Sequence, residues 1–117
     1  MLLKLLVPLT VLPLAGSLVV AADRSPSFDV TPSCRAAATM GGGAGRTIDS
    51  CLKSEQSAHD QINQEWSQFS AIDRRQCVQN TTGGFEPTYT ELLTCLEMAR
   101  DARTRSHEQT ATKPKSL

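Results

Sequence analysis

The chain is 117 residues long, and its 12 Lys and Arg balance 12 Asp and Glu to a formal net charge of zero. A balanced chain has no global field to draw in nucleic acid or an anionic membrane, which sets those two ligand classes aside. At this length it makes one small domain, whose hydrophobic core is marginal without covalent help.

The chain opens with one positive charge at Lys4, an apolar run over residues 5–20, and small residues at Val20 and Ala22 before Asp23. Those are the three parts of a secretion signal, so residues 1–22 are expected to be cleaved as a signal peptide. The apolar run is short of the roughly 20 residues that span a bilayer, and it contains Pro8 and Pro13, so no stable membrane anchor is expected after cleavage. Lys4 leaves with the leader, and the mature chain then carries 11 basic and 12 acidic side chains.

Residues 23–33 read as an extended lead-in, with Thr31, Pro32 and Ser33 opening a short alanine-rich helix that runs over 34–40. The glycines of 41–45 stop it, because consecutive glycines lose too much backbone entropy in a helix. The clearest helical stripe follows: Ile48, Cys51, Leu52, Ala58, Ile62, Trp66 and Phe69 fall at steps of three, four or their multiples. Thr47 or Asp49 can accept the free amides at its start. Trp66 and Phe69, large and apolar at its end, are expected to anchor the core.

Ser70 followed by Asp73 has the form of a capping box, which predicts a third helix over 71–79 carrying Ile72, Cys77 and Val78. Residues 80–84 are turn-forming. Thr88 and Glu91 make a second capping box, and a fourth helix is expected over 89–103, with Tyr89, Leu92, Leu93, Leu96 and Ala99 on one face. Beyond it, residues 104–117 are polar, contain Pro114 and show no apolar period, and read as a disordered tail. No alternating strand pattern occurs. The predicted fold is therefore all-α: a small disulfide-stapled bundle of about four helices over residues 34–103.

Cys34, Cys51, Cys77 and Cys95 all lie in the exported part, and four cysteines permit three connectivities. At a rise of about 1.5 Å per residue, Cys34 and Cys51 stand at similar heights on one antiparallel hairpin, and Cys77 and Cys95 on another. Joining Cys51 to Cys77 on neighbouring helices would instead need to span an axial offset of about 18 Å. The favoured pairs are Cys34 with Cys51 and Cys77 with Cys95. A zinc site is the rival use of these cysteines, but zinc sites bring their ligands in close pairs, and no two cysteines are nearer than 17 residues. No metal ligand or cofactor-binding residue is assigned.

Little else carries chemistry. His59 sits on the polar side of the second helix and reads as a surface histidine, and His107 falls in the tail. Phosphate-loop, nucleophile-elbow and metalloprotease motifs do not occur, so no catalytic residue is assigned. Asn80, Thr81 and Thr82 form a glycosylation sequon, meaningful in a eukaryotic secretory pathway. Arg74 and Arg75, and the basic residues Arg100, Arg103, Arg105, Lys113 and Lys115, could meet an anion. The plainer reading gives the first pair a packing role and leaves the others solvated.

The residues Cys34 to Ala38, Cys51 to Glu55, Trp66 to Phe69, Arg75 to Cys77 and Tyr89 to Met98, in that order, resemble a group of small exported proteins of alphaproteobacteria. More distantly, the order of cysteine, alanines, cysteine, tryptophan, arginine-cysteine and a last cysteine on a helix is similar to the helical lysozyme-inhibitor-like domain of bacterial envelopes. The resemblance implies export to the periplasm or beyond and supplies no catalytic residue. The expectation is a non-enzymatic envelope module that binds or inhibits an unidentified protein partner. A purely structural or stress-related role, or a small thiol-redox protein, are the alternatives.

Overall fold

The computed structural model describes residues 24–40 and 47–113. The proposed leader with Asp23, the glycine turn at 41–46 and residues 114–117 lie outside them. The described chain holds four helices: α1 (Thr31–Thr39), α2 (Ile48–Glu65), α3 (Ala71–Thr82) and α4 (Tyr89–Thr112). A 3-10 turn at Trp66–Gln68 closes α2, and no described residue is in a strand. The protein is an all-α bundle with two disulfides.

Each helix start is written locally. Thr47 accepts from the Ser50 amide while the Ser50 hydroxyl accepts from Thr47, a full capping box. Ser70 Oγ accepts from the Asp73 amide and opens α3. Thr88 does the same for α4 through the Glu91 amide. Proline near the start of α1 costs nothing there, because the first amides of a helix have no intrahelical acceptor.

α4 is the shared element, packing on both α2 and α3. Pairings at Glu55 with Tyr89, Gln61 with Glu97 and Glu65 with Arg100 show that α2 and α4 run parallel. The bridge between Cys77 and Cys95 sets α3 antiparallel to α4. The core collects Ala58, Ile62, Trp66, Phe69, Cys77, Tyr89, Leu92 and Leu96, with Phe28 and Val30 packed on it from the lead-in. Trp66 and Phe69 are both buried within it.

Four expectations change, the first being that α3 runs past residue 79 to Thr82 and takes Asn80, Thr81 and Thr82 out of the expected turn. The fourth helix does not end near Arg103, and residues 104–112 are not a disordered tail: α4 continues to Thr112 with that last stretch exposed. Alanine, arginine, glutamate and glutamine are good helix formers, and an existing helix adds each residue without a new nucleation step. The lead-in gives way to helix at Thr31 rather than after residue 33. On α3, Ile72 is 58% exposed, while Asp73, Cys77 and Thr81 face inward. Spaced by four, these three form one row, and the bridge at Cys77 turns that row toward α4.

Candidate functional site

Cys34 is joined to Cys51 and Cys77 to Cys95, with Cα–Cα distances of 5.5 and 5.6 Å. No cysteine is free. Bridged sulfurs are neither nucleophiles nor thiolate ligands. A chain with two bridges and no free thiol has the pattern of an oxidising, extracytoplasmic setting. Among the described residues no helix is long and apolar enough to cross a membrane. No group of three or more His, Cys, Asp or Glu among them is arranged to hold a metal.

The most elaborate polar construction is at the N-terminus of α4. Glu55, on α2, is buried, and its Oε2 accepts from the Tyr89 amide at 2.7 Å and the Thr90 amide at 3.4 Å. Oε1 takes the Thr90 hydroxyl. Together with Thr88, which takes the Glu91 amide, Glu55 closes the helix end that would otherwise point free donors inward. Its negative charge also meets the positive end of the helix dipole. No apolar period marks out Glu55 in the sequence. Its one available signal was its place among Cys51, Ala58 and Ile62, at helical spacing on the buried face.

Tyr89, beside that cap, reaches the lead-in. Its hydroxyl accepts from the Phe28 amide at 2.7 Å and donates to the Phe28 carbonyl at 3.3 Å. Its ring packs on Phe28 with centroids 5.1 Å apart. His59 stacks on the Tyr89 ring as well, ring centroids 4.0 Å apart and nearly parallel. It is half-buried, not a free surface histidine. The extended residues 24–30 thus form a strap across α2 and α4, pinned also by the Ser25 hydroxyl on Asn63. Tyr89→Phe is expected to cost about 1 kcal/mol, the net worth of a hydrogen bond. Faster amide exchange at Phe28, with α4 protection retained, is the measurement that shows the strap alone has loosened.

Between strap and helix lies an open cleft of about 510 Å³, lined by Arg24, Ser25, His59, Asn63, Trp66 and Ser67 among others. The structure puts His59 and Trp66 on the cleft wall and Tyr89 behind His59. The Trp66 indole N–H is buried and has no hydrogen-bond partner among the described residues.

The arginines divide. The Arg74 guanidinium lies over the Trp66 ring, 5.5 Å from its centroid, and Arg100 lies 5.1 Å over Phe69. Arg75 is exposed. Arg103, from the basic run, makes a two-pronged ion pair with buried Asp73, including Nη2 to Oδ1 at 2.8 Å. Arg105 and His107 stay exposed on the α4 extension. Asn80, of the sequon, is exposed within α3, and the Thr82 hydroxyl donates to the Val78 carbonyl.

Arg103 holds the Asp73 carboxyl below the usual aspartate range, against the opposing effect of burial. A group with a depressed folded pKa adds stability that is complete above its unfolded value, about 3.9, and is lost as pH falls through the folded value. Glu65, bonded by Gln61 and Arg100, shifts the same way. Asp73→Asn is therefore expected to lower the melting temperature at pH 7, and the difference from the parent is expected to shrink as pH falls below about 3.9. Melting curves over that span check it, with Glu65 and Asp29, also held low, adding slope of their own.

A scan against protein-family models and searches of curated proteins and of solved structures find no match to this chain.

Proposed function

We propose that this chain is an exported, non-enzymatic module that binds, and through binding inhibits, a protein partner in the periplasm or outside the cell. The observation that carries the reading is the employment of its buried charges. Glu55 closes the start of α4 and Asp73 holds Arg103, while every cysteine is bridged. The two buried carboxylates and all four cysteines are thus occupied in holding helices together. Catalysis needs such a group positioned and available.

What the bundle presents outward is a stapled scaffold with open surfaces, the form of a binding module. The resemblance to small exported four-cysteine proteins and to lysozyme-inhibitor-like domains supports the same reading, as do the signal-like first 22 residues. The test uses the purified, oxidised protein as bait in a periplasmic extract, alongside inhibition assays on a lysozyme. Specific retention of a partner, whose activity falls in proportion to occupancy, supports the proposal. An oxidised protein that retains nothing and inhibits nothing sinks it.

A further inference from the structure

The chain has three phenylalanines. Phe69 is buried in the core and Phe28 packs against it, but Phe85 is fully exposed, in the loop between α3 and α4. A scattered exposed apolar residue is ordinary. Phe85 differs in how it is held. The bridge between Cys77 and Cys95 closes the hairpin that carries it. The Ser33 hydroxyl reaches the neighbouring Glu86 carboxylate at 3.5 Å, tying the loop to α1. Pro87 and the Thr88 cap then fix the entry into α4.

An apolar groove begins in the first turn after this loop. It is lined by Thr90, Glu91, Thr94, Cys95 and Met98, holds about 420 Å³, and leaves Met98 66% exposed. The knob and the groove are therefore consecutive along one stapled hairpin. An aromatic side chain on a preorganised loop loses little entropy on docking, which is what interface anchors require.

Charge chooses the partner. From residue 76 to residue 99 the hairpin carries Glu86, Glu91 and Glu97 and no lysine or arginine. Glu97 accepts from Gln61 on α2, while Glu91 lines the groove and Glu86 adjoins Phe85. The basic side chains of the hairpin, Arg74, Arg75, Arg100, Arg103 and Arg105, lie before and after that stretch. An acidic rim around an apolar anchor is repelled by an anionic lipid surface and complements a cationic protein surface.

We propose that Phe85, with the Met98 groove and the Glu86 and Glu91 rim, is the surface by which this chain docks on a basic protein, with the ring entering an apolar pocket. The inference rests on the binding-module reading and names its contact site. The test places the photocrosslinking residue p-benzoylphenylalanine at position 85, and separately at Ser67 in the strap cleft, in the full chain in its native cells. A crosslink from position 85 to a basic protein identifies the partner, which is then purified and titrated by calorimetry. Phe85→Ala is expected to weaken binding about thirtyfold or more, the loss typical of a buried anchor, with Phe85→Leu losing less. Glu86→Lys and added salt are expected to weaken it further. Both Phe85 variants should melt with the parent, since the side chain is outside the core.

A crosslink from Ser67 with none from position 85 overturns this surface and leaves the binding reading standing. Absence of crosslinks from both positions overturns this surface, and the binding reading falls with it when the oxidised bait also retains nothing. Binding unaffected by Phe85→Ala, a crosslink only to a second copy of the chain, or Phe85-dependent binding to phosphatidylglycerol vesicles also overturns it.

Discussion

Replacing all four cysteines with alanine is expected to abolish cooperative folding at about 37 °C. Each bridge closes a loop of similar length, with sequence separations of 17 and 18. The loop-entropy relation gives about 3 kcal/mol for each. A domain of this size has a total stability of about 5–13 kcal/mol, so losing both removes a large part of it. The sulfurs also occupy core space, as Cys34 and Cys77 are nearly inaccessible. Removing one pair should leave a cooperative transition, shifted to lower urea by about 3 kcal/mol with a somewhat larger loss at Cys77 and Cys95, which sit in the main core cluster. Urea unfolding of the three variants, followed by circular dichroism, is the measurement. A four-alanine variant that retains the parent's midpoint would falsify the idea that the staples sustain the fold.

Glu55→Ala should be the most damaging single change on a polar residue. It removes the acceptor of two backbone amides and a hydroxyl at the start of α4. Donors left inside without an acceptor cost about 1–3 kcal/mol each, although water reaching Thr90 softens one of them. A total of about 2–4 kcal/mol is expected. Glu55→Gln keeps an acceptor oxygen for the two amides, loses the charge facing the helix dipole, and puts an NH2 against the Thr90 hydroxyl, which can turn to accept, so it should cost about 1 kcal/mol. The pair of variants separates hydrogen bonding from charge. Equal losses for both would mean that charge, not the acceptor atoms, closes the helix end. The slope of the urea transition should be unchanged, since the surface exposed on unfolding is the same.

The features that could be read from the sequence are those set by near neighbours. Thr47, Ser70 and Thr88 cap amides three residues away, and the α2 stripe through Ala58, Ile62 and Trp66 follows from one helix's own period. The cysteine pairs follow from heights along short hairpins. The features that escaped depend on what stands opposite in space. Glu55 looks like any helix-surface glutamate until the start of α4 is brought against it. His59 is half-buried because Tyr89, 30 residues away, arrives under it. Asp73 appeared as half of a local capping box, yet its carboxylate reaches Arg103 on another helix. The α4 extension was missed for a different reason: apolar periodicity reports packing, and an exposed helix has nothing to pack. Phe85 was passed over in the turn before Pro87, because exposure is a property of the assembled hairpin.

The two bridges join each cysteine to its neighbour in the chain, first with second and third with fourth. A polypeptide delivered N-terminus first offers Cys34 and Cys51 to an oxidant before Cys77 and Cys95 emerge. Pairing in order of arrival already gives the native set. No bond has to be opened and re-formed through thiol–disulfide exchange, a step that takes seconds to hours without assistance. Sequential pairing of this kind has no inherent need of a disulfide isomerase.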